Sequence, residues 1–424
     1  MKKLSIRQLE LRFLIYAFII LYTGLILTSL AVRQKIDINA MAVSLFYFLV
    51  ALLASSALSA LKKNYESYLF PLAIFISNIG LIELYRISDL LFYKQINWLI
   101  IGILIYFFIV LLLKNYRSLA NYSYLFLIIG IILQVMVSVW GTEINYAKLW
   151  FDLGFFYFQP SEIIKILLVI FLAYYLSEYK EYLSARYSLT RISTFKYMIP
   201  VFVMWLLCMF IIVLQKDMGM ALLLFSIFIT MFYLSTSRKD IMVTSIMLFA
   251  GGSYLCYRAF AHIKVRFISW LNPWSDPYGM GHQIIQGLFS ITAGGLFGTG
   301  LGMGKPYYVP AVQTDFIFSA ISEEMGFLGA TALIILYLLF IGKAFKVSIN
   351  VKESFGKLLS AGLTAIIAWQ SIVIIAGNLK IIPLTGITLP FVSYGGSSIV
   401  SNFIILGLLT VIARNTHEEK EKAK

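Results

Sequence analysis

Residues 262–326 read HIKVRFISWLNPWSDPYGMGHQIIQGLFSITAGGLFGTGLGMGKPYYVPAVQTDFIFSAISEEMG. This long polar and glycine-rich stretch lies between two hydrophobic blocks. Most of the remaining chain consists of apolar segments, and about 20 such residues suffice to cross a bilayer. The stretch instead contains Arg266, Gln283 and Asp315, with six glycines between 294 and 304. We therefore expect a membrane protein that works through its long loop, 262–315.

The composition supports this assignment. Of the 424 residues, 60% are hydrophobic and 13% are charged, and the mean hydropathy is +0.87. Soluble domains are about 45–50% apolar and about 25% charged. The net charge of +14 would indicate nucleic acid binding in a soluble protein. In a membrane protein, lysine and arginine accumulate on cytoplasmic loops, so we expect no nucleic acid partner.

Twelve apolar segments are long enough to be transmembrane helices, so the sequence predicts an all-α polytopic protein. They are residues 12–32, 40–61, 67–88, 96–114, 121–140, 161–178, 197–215, 217–236, 240–261, 316–343, 357–379 and 391–413. If the N-terminus is inside, 22 of the 34 basic residues fall on the inner side. This excess predicts that both termini, including the tail 415–424, are cytoplasmic and that loops 141–160 and 262–315 are extracellular.

Ionisable residues at membrane depth are costly and tend to mark function. Glu162 and Lys165 lie in QPSEIIK, Asp217 in QKDMG and Asp315 in QTDF. Each could simply cap a helix or form a local salt bridge in its first turn. However, all four lie at helix starts on the predicted outer side, whereas capping alone would place such residues at both faces. The pattern favours a polar pocket that opens outward.

Three further features of the sequence give weaker signals. Glu323 and Glu324 lie about 12–14 Å deeper than Asp315 at 1.5 Å per residue, so we expect at least one to face a cavity or a cation. SYGGSS, Ser393–Ser398, allows tight helix packing, or backbone N–H groups that bind an anion. The glycine run 294–304 follows no strand, so it predicts a bent, close-packed loop and no dinucleotide site.

The sequence offers little for metal or nucleophilic catalysis. The three histidines, His262, His282 and His417, show no metal-ligand spacing such as HExxH. They form no recognisable Ser-His-Asp or Cys-His set. If the protein is an enzyme, its proton chemistry falls to carboxylates.

Six motifs, in order, resemble the SEDS family of peptidoglycan polymerases, to which RodA, FtsW and SpoVE belong. They are INYAKLWFDLGFFYFQPSEIIKI, LQKDMGMALLL, FISWLNPWSDPYGMGHQIIQGLFSI, GGLFGTGLG, VPAVQTDFIFSAISEEMGFLG and PLTGITLPFVSYGGSS. The resemblance covers roughly 67–414 and implies a core of ten helices, to which 1–66 adds two. It also implies polymerisation of lipid II outside the cytoplasmic membrane, in partnership with a class B penicillin-binding protein.

The resemblance also implies roles for individual residues. Asp315 matches the catalytic aspartate of the family, while Glu162, Lys165 and Asp217 match three further motif positions. Trp98 and Arg266 match a shared tryptophan and a loop arginine. The chain departs from the family pattern at 148–150, where Lys-Leu-Trp replaces Arg-Arg-Trp, and at 310–313, where a carboxylate and an imidazole are absent.

We therefore expect Asp315 to be the general base that takes a proton from the acceptor hydroxyl. Cationic side chains, or a divalent ion such as Mg²⁺ or Mn²⁺, would stabilise the departing undecaprenyl diphosphate. The predicted substrate-binding residues are Glu162, Lys165, Asp217, Arg266, Lys148, Gln283, Ser393, Ser397 and Ser398. No residue is predicted as a dedicated metal ligand.

Two other functions fit the same features. A lipid II flippase would also contain charges within the membrane, although it would need polar groups along the whole depth. A scaffold that only recruits a penicillin-binding protein would tolerate Asp315→Asn. The sequence does not distinguish elongation, division and sporulation proteins, and it gives no oligomeric state.

Overall fold

The computed structural model describes residues 6–61, 68–144, 147–154, 156–184 and 191–422. This part of the chain contains sixteen α-helices and a small sheet. The helices are α1 (Ile6–Arg33), α2 (Ile38–Ala60), α3 (Leu69–Ile87), α4 (Asp89–Leu112), α5 (Ser118–Asn121), α6 (Ser123–Trp140), α7 (Ser161–Glu178), α8 (Lys180–Ser184), α9 (Arg191–Leu214), α10 (Met218–Thr236), α11 (Lys239–Ala259), α12 (Ala261–Leu271), α13 (His282–Gly294), α14 (Ile317–Asn350), α15 (Ser354–Asn378) and α16 (Gly396–Lys422).

Eleven helices in the described ranges are long and apolar enough to cross a membrane. α7 is also 18 residues long, and it carries three charged side chains, Glu162, Lys165 and Glu178. Counting α7, the spans agree with the twelve that the sequence predicts. The protein is therefore an all-α multi-pass membrane protein.

Polar residues in the connections determine where several spans begin. The side chain of Asp37 accepts hydrogen bonds from two amides at the start of α2. Asp217 caps α10, and Glu353 caps α15. These side chains satisfy amides that have no partner within the helix, a need that is strongest where water is scarce.

The middle of the bundle is formed by α3, α15 and α16, in whose apolar windows about four-fifths of the residues are buried. α16 packs along α4, and α14 and α7 pack against α15. The segment just before α16 approaches α3 closely because Gly80 has no side chain: a Cβ there would lie 2.5 Å from the carbonyl oxygen of Val392. Helix faces in membranes often approach through such small residues.

The first two helices pack against the side of this bundle. α1 lies along α3, and α2 lies along α4. The amide of Asn78 donates to the carbonyl of Ala17 at 2.8 Å. At one end, Arg33 forms ion pairs with Asp37 and Asp89, which join α1 to the starts of α2 and α4.

The connection after α6 contains strands, which the sequence did not predict. Strands β1 (Thr142–Ile144), β2 (Ala147–Asp152) and β3 (Tyr157–Phe158) form an antiparallel sheet in the order β1-β2-β3. The sheet is confined to the loop 141–160 and leaves the all-α class unchanged.

The long loop after α11 is folded, with α12, α13 and short 3-10 turns between 262 and 315. It leads into α14, which is broken at Gly326 (φ 65°). The glycine run packs against this break: the amide of Thr299 donates to the carbonyl of Glu323 at 2.9 Å, and that of Phe327 to Gly295 at 2.9 Å. The prediction of a bent, close-packed loop is correct.

Candidate active site

Asp315 lies in the turn immediately before α14. Its amide donates to the carbonyl of Ala311 at 3.1 Å, and its carbonyl accepts from the side chain of Asn378 at 2.7 Å. The helix start itself, at Phe316, has no side-chain capping bond. The capping interpretation of Asp315 is therefore wrong, and its carboxylate stays available for another role.

The carboxylate of Asp315 faces a cation across a glycine. A Cβ on Gly386 (φ +75°) would lie 3.7 Å from Oδ2 of Asp315 and 3.9 Å from Nη2 of Arg266. Arg266 is exposed on α12, and Asp315 is partly exposed. The absence of a side chain at 386 thus leaves an open space between a carboxylate and a guanidinium.

Desolvation in this turn raises the pKa of Asp315 to about 6. The hydroxyl of Thr314 and the positive charge of Arg266 oppose this rise, while the negative charge of Asp217 adds to it. A carboxyl with a pKa near 6 is largely ionised at neutral pH and is a stronger base than an ordinary aspartate. That is a suitable state for a general base.

Asp217 combines two of the interpretations that the sequence left open. Its Oδ1 accepts from the amide of Met220 at 2.9 Å, so it does cap α10. Burial raises its pKa, and the charge of Arg266 lowers it. Arg266 therefore acts electrostatically on both Asp217 and Asp315, so the three side chains belong to one cluster.

Glu162 and Lys165 form a buried ion pair at the start of α7. Nζ of Lys165 lies 2.5 Å from Oε2 of Glu162, and the Lys165 side chain is fully buried. The hydroxyl of Ser401 donates to the same glutamate oxygen at 2.7 Å, and Lys165 donates to the amide oxygen of Gln370 at 2.9 Å. The pair is thus embedded among α7, α15 and α16, unlike an ordinary exposed helix salt bridge.

A chain of hydrogen bonds connects this pair to the loop between α15 and α16. Gln370 donates to the carbonyl of Thr388 at 2.9 Å, and the Thr388 hydroxyl donates to Ser398 at 2.8 Å. Ser397 accepts from the amide of Gln159, just before α7, at 3.0 Å. Both predicted serines therefore join the start of α16 to neighbouring segments.

Ser393 connects the same loop to the turn that holds Asp315. Its hydroxyl donates to the carbonyl of Thr314 at 2.5 Å and accepts from the amide of Leu389 at 2.9 Å. The amide of Tyr394 donates to the carbonyl of Gln313 at 2.9 Å. This part of SYGGSS therefore holds the Asp315 turn in place.

Two predicted residues lie outside these contacts. Gln283, on α13, donates to the carbonyl of Pro310 at 3.2 Å, in the segment that leads to Asp315. Lys148 is exposed on β2 and is paired in the sheet with Glu143. The roles proposed for both in substrate binding stay predictions.

Glu323 and Glu324 belong to a separate buried cluster beneath the glycine run. Glu324 pairs with Arg86 at 3.1 Å and accepts from the amides of Gly302 and Gly304. Glu323 accepts from the amide of Lys305 at 2.7 Å. The expectation that one of them faces a cation is correct, and the cation comes from α3.

Sequence reasoning missed the residues that hold the site together. Gln370 and Asn378 supply buried amides from α15, and Gly386 leaves the space beside Asp315. The detectable signal was an amide within an otherwise apolar span, since such groups must find partners in a membrane. Arg86, a charged residue in the last turn of α3, was a signal of the same kind, because a charge in a membrane also needs a partner.

The donor set does not form a metal site built from protein ligands alone. Among the described residues, no group of three or more His, Cys, Asp or Glu side chains could hold an ion. Mg²⁺ is commonly bound by one or two carboxylates together with phosphate oxygens of the substrate. Asp217 and Asp315 fit only this second type of site.

Comparisons with known proteins agree with this architecture. The FtsW/RodA/SpoVE family model, described as "Cell cycle protein", matches residues 67–418. The peptidoglycan glycosyltransferase RodA of Mycobacterium bovis is 34% identical over 424 residues, covering 96% of this chain and 90% of that protein. Stage V sporulation protein E of Bacillus subtilis is 32% identical over 370 residues, covering 83% and 98%.

Solved structures show the same fold. A chain from a study titled "Structural coordination of polymerization and crosslinking by a peptidoglycan synthase complex" matches with a TM-score of 0.70 and 26% identity, covering 84% of this chain and 99% of its own. RodA of Thermus thermophilus matches with a TM-score of 0.63 and 26% identity, covering 83% and 98%. The chain therefore belongs to the FtsW/RodA/SpoVE family.

Proposed function

We infer that the protein is a peptidoglycan glycosyltransferase, as its curated RodA relatives are named, and that it polymerises lipid II at the outer face of the bacterial cytoplasmic membrane. The observation that carries the mechanism is the partly exposed carboxylate of Asp315, which faces Arg266 across Gly386. A base and a cation on either side of an open space are what transfer from a diphosphate-linked sugar requires.

In the proposed reaction, Asp315 accepts the proton of the acceptor sugar hydroxyl. The hydroxyl oxygen forms a bond to the anomeric carbon of the donor, and the bond from that carbon to the diphosphate oxygen breaks. The bonding pair leaves with the undecaprenyl diphosphate. Because the pKa of Asp315 is raised to about 6, the carboxylate is mostly ionised at pH 7 and holds the proton more firmly than an ordinary aspartate would.

Arg266 is the cation best placed to stabilise the developing negative charge of the diphosphate. It is exposed, and it lies across Gly386 from the base. Lys165 is enclosed between Glu162 and Gln370, so in this conformation it supports the site through α7, α15 and α16. Its predicted contact with the diphosphate requires a rearrangement that frees its ammonium group.

A Mg²⁺ or Mn²⁺ ion is part of the proposal only together with substrate. Asp217 and Asp315 would supply carboxylate oxygens, and the diphosphate would supply the remaining ligands. Such an ion would supply positive charge to the leaving group. Arg266 would then also stabilise the leaving group, and its charge would help to hold Asp217 and Asp315 in position.

The proposed topology places both termini in the cytoplasm and the Asp315 turn outside. At the end of the bundle opposite Asp315, polar contacts join the C-terminal part of α16 to its neighbours. Arg117 pairs with Glu419, and Lys420 donates to Asn350 at the end of α14. The excess of basic residues on that face supports a cytoplasmic location. The division into an added hairpin, 1–66, and a core, 67–414, belongs to the same proposal.

A class B penicillin-binding protein is the proposed partner, since polymerised strands need crosslinking. One structural relative comes from a peptidoglycan synthase complex that coordinates polymerisation and crosslinking. Whether this chain acts in elongation, division or sporulation would follow from which partner it binds.

The decisive experiment combines purified full-length protein with lipid II and measures glycan polymer on gels. The wild-type protein should make polymer, and Asp315→Asn should not, with its helical circular dichroism unchanged. A parallel assay of lipid II translocation in liposomes tests the flippase alternative. Translocation without polymerisation would overturn the proposal, and unimpaired polymerisation by Asp315→Asn would overturn the base assignment.

A further inference from the structure

A cavity of about 360 Å³ opens between α6, α7 and α9, far from the Asp315 cluster. Its lining includes Tyr124, Tyr175, Tyr179, Tyr197 and Lys196. Tyr175 is thirteen residues beyond Glu162 on α7, about 20 Å along the helix axis. The cavity therefore lies at the opposite membrane face from the candidate active site, the face that the basic residues mark as cytoplasmic.

The wall of the cavity is a continuous aromatic surface. Tyr179 stacks on Tyr197 with ring centroids 5.0 Å apart, and Tyr175 lies 4.6 Å from Tyr179. Tyr124 is 49% exposed at the rim. Tyrosine favours the headgroup level of a bilayer, because its ring is apolar and its hydroxyl is polar. The cavity thus combines interfacial depth with an opening toward lipid.

Lys196 gives the cavity a positive charge. Its side chain is exposed and forms no ion pair with a described carboxylate, and no acidic residue lines the cavity. Glu178, at the end of α7, is exposed and does not line the cavity. An exposed ammonium group beside aromatic rings, with no acidic residue in the lining, is suited to a phosphate group.

A proline among the lining residues removes one backbone hydrogen bond of α9. Pro200 has no N–H, so the carbonyl of Lys196 four residues earlier lacks its helical donor. The next carbonyl, that of Tyr197, accepts instead from the hydroxyl of Tyr175 at 3.0 Å. The carbonyl left without a donor and the ammonium group both belong to Lys196, so that carbonyl can accept a hydroxyl from a headgroup whose phosphate the lysine binds.

We propose that this cavity is a binding site for an anionic phospholipid of the cytoplasmic leaflet whose headgroup carries hydroxyls. Lys196 binds the phosphate, the freed carbonyl accepts from the headgroup, and the tyrosine wall covers the first part of an acyl chain. Basic pockets between helices on the cytoplasmic side are a known means of lipid recognition. The proposal is independent of the glycosyltransferase chemistry at the outer face.

The test measures lipid binding to the purified full-length protein by native mass spectrometry and by thermal stability in detergent. The probes are phosphatidylglycerol, phosphatidylcholine and inorganic phosphate, each titrated separately. Wild-type protein should bind phosphatidylglycerol and be stabilised by it, with at least fivefold weaker binding of phosphatidylcholine. Inorganic phosphate alone should not stabilise the protein, since it lacks the acyl chain.

Two variants and one control localise the site. Lys196→Gln should weaken phosphatidylglycerol binding about fivefold, equivalent to about 1 kcal/mol for one charge near the surface. Tyr124→Leu should weaken it by a smaller factor. Lys180→Gln, a neighbouring exposed lysine that does not line the cavity, should leave binding unchanged.

Three results would overturn the proposal. They are equal affinity of wild-type and Lys196→Gln protein for phosphatidylglycerol, equal loss in Lys196→Gln and Lys180→Gln, and stabilisation by inorganic phosphate as strong as that by the lipid. Polymerisation of lipid II should persist in Lys196→Gln protein reconstituted in phosphatidylcholine. This readout separates loss of lipid binding from loss of the proposed enzyme activity.

Discussion

Two carboxylate–cation pairs lie near helix starts, and they are built in opposite ways. Glu162 and Lys165 touch at 2.5 Å, are buried, and have further polar partners. Asp315 and Arg266 face each other across Gly386 without forming an ion pair in the described part of the chain, and both reach solvent. A pair whose partners are satisfied gives structure, whereas one held apart leaves room for a substrate.

The largest effect should come from removing the separated carboxylate. Asp315→Asn keeps the shape of the side chain but removes the base, so polymerisation should fall about 10²–10⁴-fold. The variant should be at least as stable as the parent, because it loses a carboxylate whose pKa is raised by desolvation. Gel analysis of lipid II polymer and a thermal unfolding midpoint measure the two effects.

Asp276→Asn is the matched control for this variant. Asp276 lies in the same loop and accepts from the amides of Gly279 and Met280, which an asparagine oxygen can still do in part. It should retain activity within a few fold. Equal losses in the two variants would mean that Asp315 acts only through the fold of the loop.

Disrupting the buried ion pair of Glu162 and Lys165 should lower the stability of the protein. Lys165→Met leaves the Glu162 carboxylate buried without its cation, which typically costs about 3–5 kcal/mol. The double variant Glu162→Gln/Lys165→Met removes both charges and should recover most of that loss. Thermal unfolding in detergent measures each variant.

Activity of the same proteins decides what Lys165 does. If the double variant recovers stability and also polymerises lipid II to within about tenfold of wild type, the pair is a positioning device. If stability returns while activity stays more than about a hundredfold down, Lys165 contacts the diphosphate and the comparison between the two pairs fails.

The pH dependence of polymerisation should report on the separated pair, Asp315 and Arg266, without any change of fold. With a pKa of about 6, Asp315 is protonated below that pH and unable to accept a proton. Activity should therefore fall about tenfold per pH unit below 6 and level off above it. Arg266→Gln should move the midpoint to higher pH, because the charge of Arg266 lowers the pKa of Asp315.

Initial rates of polymerisation from pH 4.5 to 8 provide this test. Lys264→Gln, an exposed cation on the same helix α12, should leave the midpoint in place. A midpoint that is unchanged in Arg266→Gln would show that the guanidinium does not act on Asp315.

The smallest effect should come from the loop that supports Asp315. Ser393→Ala removes the hydroxyl that joins the carbonyl of Thr314 to the amide of Leu389, and leaving such groups unpaired costs about 1–3 kcal/mol. Polymerisation should fall about five- to tenfold. Ser371→Ala, which removes a buried serine bonded only within α15, should change activity less than twofold.

The spans and the outer cluster of charges were predictable from the sequence, since apolar length and charge at helix starts are local signals. The positions of Glu162 and Lys165 in the first turn of α7, and of Asp315 just before α14, followed from the same signals. Their pairing did not: Gln370 and Ser401, which complete the buried pair, lie more than two hundred residues from it in the chain. Contacts of that range depend on how helices assemble.

The sequence alone could not decide whether an aspartate before a helix caps it. Capping is correct for Asp217 and wrong for Asp315, although both precede a helix in similar sequence contexts. The difference lies in backbone geometry, which places one carboxylate over free amides and directs the other toward Gly386. The sheet after α6 was missed because its strands are short and lie in a loop.

The break at Gly326 has a mechanical consequence. The glycine run is bonded to both sides of the break: the amide of Thr299 donates to Glu323 in the short part of α14, and the amide of Leu328 in the long part donates to Leu296. Long membrane helices tilt when the bilayer thickens or thins. Because the helix is interrupted, such tilting of its long part reaches Asp315 through the glycine run and not along one rigid rod. The glycine run therefore couples the turn that holds Asp315 to the long part of α14.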